Sequence, residues 1–315
     1  MNLKQFLKRN YLFIALLLAI VIFGFSTEGK LFYETNIKNL FLQNIYVFVL
    51  SSGMFLCILA GGNTDLSCGS GLYFIAAVGA YLMQRGIEGI PAFIAMLITG
   101  CLIGIWHGIL IGKLELPSMI VTLAGMSIFQ GFGDYIIGGF TLSVTNEQFL
   151  SIFGLHGLFS FPLLIVLLCI LATIYTSELS PFGRHIYALG GNVKAARSSG
   201  ISPFRVVFFT YVYMGIMTAI SAALVAGRMG IVPPGLGKSY EMDAIAACFI
   251  GGTAVTGGKG RMLGVILGAL LMGIINQGMS IIGISANWQA AVKGVLLVCA
   301  VLLGNVSIEG GRVQL

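Results

Sequence analysis

The stretch SPFGRHIYALGGNVKAARSSGISPFR, residues 180–205, carries Arg184, Lys194, Arg197 and Arg205 together with His185, and contains no Asp or Glu. It interrupts a chain that is otherwise mostly apolar. A basic, acid-free connection between apolar segments orients a polypeptide in a bilayer, because cytoplasmic connections accumulate Lys and Arg. It also offers a surface on which a soluble partner can dock. The surrounding composition supports a membrane setting. The chain has 315 residues, 57% hydrophobic and only 9% charged, with a mean hydropathy of +0.99. A soluble domain carries about 25% charged residues. Too little polar surface is present here to cover a globule, so composition predicts an integral membrane protein. In that setting the net charge of +6 reads as cytoplasmic loop charge and not as a nucleic-acid footprint.

Apolar runs predict about ten transmembrane helices in one all-α domain, 1–315, at positions 11–26, 38–60, 69–84, 91–112, 117–138, 161–177, 206–226, 244–258, 262–283 and 288–304. The third, sixth and eighth are short enough to be tilted, broken or re-entrant. The N-terminal apolar run is expected to stay as an uncleaved first span, since Ser26-Thr27-Glu28 makes a poor cleavage site. With both termini cytoplasmic, 11 of the 17 Lys and Arg residues fall inside, five outside, and Lys293 within a span. Two long outer connections result, at 139–160 and 227–243, the second stopped by Pro233-Pro234-Gly235.

Two glycine-rich breaks look like a weak internal repeat and hint at duplication. Leu59-Ala60-Gly61-Gly62 leads into Asn63-Thr64-Asp65-Leu66-Ser67-Cys68-Gly69-Ser70, and Phe249-Ile250-Gly251-Gly252 leads into a second Gly-rich run. Interrupted helices in paired positions mark transport paths. Asp65 at such a break is expected to cap the following helix near Cys68, as is Ser67. Asn63 and Thr64 suit a hydroxyl-rich solute. Asp134 and Lys293 are expected to pair with each other or, for Lys293, to snorkel. The six cysteines show no CxxC pair and read as small apolar fillers, with no metal site. No phosphate-binding loop, zinc motif or nucleophile elbow is present, so no catalytic residue is assigned and any energy source lies outside the chain.

Four stretches resemble one family in its order. These are G-N-T-D-L-S-C-G-S at 62–70, L-P-S-M-I-V-T-L-A-G-M at 116–126, F-G-R-H-I-Y-A-L-G-G-N at 182–192 with A-A-R-S-S-G-I at 195–201, and E-M-D-A-I-A-A-C-F-I-G-G at 241–252. They are similar to the permease subunits of bacterial ribose- and xylose-type ABC importers. Thr64, Cys68, Ser118-Met119 and Gln130 depart from that family's pattern, which bears on the solute and not on the fold. The resemblance implies a multi-pass permease of the bacterial cytoplasmic membrane that works with a second permease chain. It further implies an extracytoplasmic sugar-binding protein and a separate cytoplasmic subunit that binds ATP and Mg. The chain itself is expected to bind no cofactor and to catalyse no reaction. The resemblance places Gly191, Asn192, Ala195, Ala196, Ser198, Gly200 and Ile201 at the ATPase contact. Asn63, Thr64, Asp65, Ser67, Thr122, Gly251 and Gly252 are the expected path residues.

Import of nucleosides or another small solute by the same architecture is an alternative. An ATP-independent secondary transporter would need a relay of intramembrane carboxylates, for which only Asp65 and Asp134 are available. A sensor or scaffold would leave the two glycine breaks without a purpose.

Overall fold

The structure is a computed structural model that describes residues 3–154 and 161–308, with side chains described from 11 to 302 in those segments. Lys4, Lys8, Arg9 and Arg312, which contribute to the expected charge bias, and His156 lie outside the described side chains.

The described residues are almost entirely helical. In chain order the helices are α1 (Leu3–Ser26), α2 (Glu34–Gln43), α3 (Ile45–Leu59), α4 (Cys68–Gln84), α5 (Gly89–His107), α6 (Ser118–Ile137) and α7 (Glu147–Phe153). They continue with α8 (Phe161–Ile174), α9 (Pro181–Gly191), α10 (Val193–Ser198), α11 (Pro203–Met229), α12 (Tyr240–Ile250), α13 (Met262–Ile282) and α14 (Ala286–Ile308). Wider π-helical turns extend α5 to Lys113 and α8 to Leu179. Six helical segments are long and apolar enough to cross a membrane, and Tyr11–Ser26, Cys68–Gln84 and Ala286–Leu302 are shorter apolar helices.

Nine of the expected spans therefore have a helical counterpart. The eighth, expected to be short or broken, has one only over its first half: α12 stops at Ile250, and positions 251–261 are irregular. Gly252, Gly257 and Gly258 there have positive φ, a region closed to most side chains. The 180–205 connection folds as two helices, α9 and α10, joined at Asn192. The two outer connections are tied by a short antiparallel ribbon, β1 (Leu142–Ser143) with β2 (Ile231–Val232), in the register Leu142↔Val232.

The core is built around α11, 27 residues and about 40 Å long, which packs against α3, α4 and α5. The contact with α5 is set by a glycine ridge at Gly100, Gly104, Gly108 and Gly112. Their i, i+4 spacing puts all four on one helical face. A Cβ on Gly100 would lie 2.3 Å from the Gly215 carbonyl oxygen, and one on Gly104 2.4 Å from that of Tyr211. Lipid cannot drive helices together by hydrophobicity, so backbone approach of this kind supplies the packing contact. The pattern is plain in the sequence, although neither motif nor charge reading singles it out. The same device recurs where Gly264 and Gly268 of α13 meet Ala247 of α12 and Gly251 just beyond its end.

Gly104→Leu should cost about 1–3 kcal/mol or more through overpacking and abolish monodisperse extraction in size-exclusion chromatography. Gly131→Leu, where a Cβ meets nothing within 4 Å, should extract normally.

Candidate functional site

At one end of the molecule the two glycine breaks meet. The Gly258 N–H donates to the Leu59 carbonyl oxygen at 3.0 Å. A Cβ on Gly62 would lie 2.5 Å from the Val255 carbonyl oxygen, and one on Gly257 2.7 Å from the Gly61 nitrogen. Each break follows a helix that runs toward this junction, α3 or α12, and precedes one that leaves it, α4 or α13.

The end of α9 is the third element of the junction. A Cβ on Gly190 would lie 1.9 Å from the Leu59 oxygen and 2.4 Å from the Gly258 nitrogen. Only glycine lets α9 seat on the hydrogen bond that joins the breaks. Tyr187, one turn earlier, donates its hydroxyl to the Gly260 carbonyl oxygen at 2.8 Å. Burial raises the Tyr187 phenol pKa above its ordinary value, with Glu178 adding to the shift, so it remains a donor at neutral pH. Glu178 accepts from the Met262 N–H at 3.1 Å and so holds the start of α13. Gly190, Tyr187 and Glu178 escaped the sequence reading. The adjacent Gly190-Gly191 pair was the available signal, but the sequence does not distinguish the seated glycine from its exposed neighbour.

The α9–α10 pair is shaped by local sequence. Ser180 caps α9, accepting from the Gly183 N–H at 3.0 Å, and Pro181 occupies the first turn. Gly183, Ile186 and Leu189 form its buried stripe. Asn192 ends α9 and caps α10, accepting from the Ala195 N–H at 3.0 Å. Gly200, at φ +82°, turns the chain toward α11. Of the residues expected at a partner contact, Gly191, Asn192, Ala195, Ser198 and Gly200 are exposed. Ala196 is buried and Ile201 half-buried against the core, so these two hold α10 to the body. Arg197 pairs with Glu115 at 3.1 Å across the turn between α5 and α6, an exposed contact contributing roughly 0–1 kcal/mol.

Asp65 is buried and its carboxylate is satisfied locally. Its Oδ1 accepts from the Ser67 N–H at 2.9 Å and from the Ser67 hydroxyl at 2.6 Å. It bonds the residue that precedes α4 and not the amides near Cys68, so it fixes the turn before the helix. The Ser67 Oγ lies 3.4 Å from His107 Nε2, and Tyr211 donates to the Thr64 carbonyl oxygen at 3.2 Å. His107 is fully buried beside this turn. Asn63 donates to the Ala60 carbonyl oxygen at 3.2 Å, leaving Asn63 and Thr64 half-buried. Thr122 is buried and donates to Ser118 of its own helix at 2.9 Å. Gly251 packs on the Gly264 backbone, and Gly252 faces the Tyr11 hydroxyl.

Asp134 and Lys293 do not pair. Asp134 accepts from Tyr73 at 2.7 Å and from Gln130 at 3.2 Å. Lys293 donates to Asp243 Oδ2 at 2.7 Å, and Tyr46 donates to the same oxygen at 2.6 Å. The fold buries Asp243 one turn into α12, where Lys293 offsets its charge. Among the described residues no group of His, Cys, Asp and Glu could hold a metal ion.

Comparison with known proteins supplies the remaining observation. Residues 36–301 match the model of the permease component of the branched-chain amino acid transport system. The chain belongs to this permease family. It is 33% identical over 307 residues to the ribose import permease protein RbsC of Escherichia coli K12, covering 96% of this chain and 95% of that protein. RbsC of Bacillus subtilis 168 is 34% identical over 296 residues, covering 92% and 91%. The xylose transport system permease protein XylH of E. coli K12 is 30% identical over an alignment of 368 residues, covering 96% and 93%. The chain is thus a multi-pass inner-membrane permease component, as its resemblance implied.

Gly190→Ala should disrupt the junction, seen as a lowered midpoint of thermal unfolding in detergent. Gly191→Ala, with open space around its Cβ, should leave that midpoint unchanged.

Proposed function

We propose that this permease imports a monosaccharide of the pentose type, driven by ATP hydrolysis on a separate cytoplasmic subunit that docks on the exposed face of α10. The observation that carries this reading is the three-part junction. Gly190 seats α9 on the hydrogen bond between Leu59 and Gly258, so a force applied at α10 acts on both broken segments together. Gly191, Asn192, Ala195, Ser198 and Gly200 form the docking face, while Ala196 and Ile201 brace it from behind. ATP and Mg bind the partner subunit.

The junction end lies in the cytoplasm with both termini, and the ribbon end faces an extracytoplasmic sugar-binding protein. The basic residues of 180–205 support that orientation. A second permease chain completes the pathway. Asn63, Thr64, Thr122 and the glycines of the second break border the route, with Asp65 and Ser67 shaping the turn. The pentose assignment draws on the ribose and xylose permeases to which the chain is similar.

Ala195→Trp places a large ring on the exposed face of α10 without entering the core. The variant should remain monodisperse but lose co-purification with its ATPase subunit. Retained association at the wild-type level would refute the docking face. Vesicles holding the permease without that subunit should accumulate no sugar; uptake driven by an ion gradient alone would overturn the ATP-driven reading.

A further inference from the structure

A buried histidine lies beside the first glycine break and takes no part in the α9 junction. His107 is the last residue of α5 before that helix widens into π-helical turns at Gly108, a distortion found often at functional sites. Its ring is enclosed by aromatic side chains, with centroids 5.0 Å away for Trp106, 5.7 Å for Tyr211 and 5.8 Å for Phe129. Such a box suits phenylalanine better than imidazole, because a buried polar ring costs free energy unless it is hydrogen-bonded. The facing helix α6 leaves room for the polar ring: a Cβ on Gly125 would lie 2.8 Å from His107 Nε2.

Among the described residues the ring has one hydrogen-bond partner, Ser67 Oγ, at 3.4 Å from Nε2; Nδ1 has none. A count of protons sets the direction of that bond. Ser67 has a single hydroxyl hydrogen, and the 2.6 Å contact gives it to the Asp65 carboxylate, which only accepts. The imidazole must therefore carry its hydrogen on Nε2 and donate to Oγ, leaving the lone pair on Nδ1. The bonds run one way, from His107 to Ser67 to Asp65, and each orients the next. Asp65 also accepts from the Ser67 N–H at 2.9 Å, so the chain of bonds ends by closing the turn before α4. The same turn is held from α3, where the Asp65 N–H meets the Met54 sulfur at 3.4 Å, and from α11 through Tyr211 and the Thr64 carbonyl. His107 is the contribution of α5.

We propose that His107 is a positioning residue for the transport path: its Nε2–H fixes the Ser67 hydroxyl, which fixes Asp65, and the closed turn holds Asn63 and Thr64 on one course at the first break. This assignment rests on the reading of Asn63 and Thr64 as path residues. His107 touches neither of them in the hydrogen-bond pattern and acts through Ser67. Because its ring is packed on α6 and α11 as well, it ties the first break to helices outside the glycine junction.

Nitrogen-15 NMR of histidine-labelled permease in nanodiscs tests the bond. His156→Gln with His185→Gln leaves His107 as the single histidine of the chain. Its hydrogen should sit on Nε2, and Ser67→Ala should shift the Nε2 resonance. A hydrogen on Nδ1 alone, or an Nε2 resonance indifferent to Ser67→Ala, overturns the proposal. Uptake of ribose and xylose by vesicles holding the permease, its ATPase subunit and its binding protein tests the role. His107→Leu fills the aromatic box without a donor and should lower the maximal rate about tenfold, the size of one lost buried hydrogen bond. His107→Gln, whose amide nitrogen reaches the place of Nε2, should restore most of that rate. A wild-type rate in His107→Leu, or an equal loss in both variants, overturns the positioning role. Where His107→Leu fails to extract as a monodisperse species, the spectra and His107→Gln still decide. Absence of ATP-driven uptake by the wild-type chain overturns the monosaccharide reading instead, and the spectra then judge the His107–Ser67 bond alone.

Discussion

A single backbone hydrogen bond, from the Gly258 amide to the Leu59 carbonyl, joins the two breaks in this permease. Buried backbone groups such as these need hydrogen-bond partners. Each break satisfies part of the other, which is why neither can be a side-chain-rich loop. Gly62 and Gly257 let the strands approach, and Gly190 lets α9 close over them. The Tyr187 bond to Gly260 then fastens α9 to the second break, and the Glu178 bond to Met262 ties the end of the α8 segment to α13. What looks in the chain like three separate glycine-rich stretches is one packed unit.

The opposite end carries a buried charge cluster. Asp243 and Lys293 are buried together, with Tyr46 on the same carboxylate oxygen. Removing one partner of a buried pair costs about 3–5 kcal/mol, so this cluster fixes α3, α12 and α14 relative to one another. Rigid clusters at both ends of α3 and α12 leave these helices able to move as connected rods. The glycine ridge between α5 and α11 forms a separate close-packed contact alongside them.

Composition and hydropathy made the membrane class legible, and nine of the expected spans appear as helices because a long apolar run has few alternatives in lipid. The eighth, expected to be short or broken, is both: the apolar content of positions 244–258 continues past Ile250, but glycines with positive φ end the helix. The 180–205 stretch was legible as a basic connection and, through its resemblance, as a docking element. Its helical caps at Ser180 and Asn192 were also readable, yet which small residue packs and which is exposed was not. Gly190 and Gly191 are adjacent and identical, and only the position of Leu59 separates their roles. The Asp243–Lys293 pair was hidden for a similar reason. Its partners are 50 residues apart on different helices, and no local pattern links them. Asp65 was rightly drawn to the turn before α4, but its bonds reach Ser67 and not the helix amides beyond.

The central claim is that α10 and the two breaks move as one body. Double electron–electron resonance on a cysteine-free background, with spin labels at Ser198 and Thr256, tests it most directly, since both positions are exposed. The permease would be assembled with its ATPase subunit and measured without nucleotide, with bound ATP and after hydrolysis. The account predicts one unchanged Ser198–Thr256 distance distribution in all three states. A distribution that shifts between states would show α10 moving independently of the junction and would contradict it.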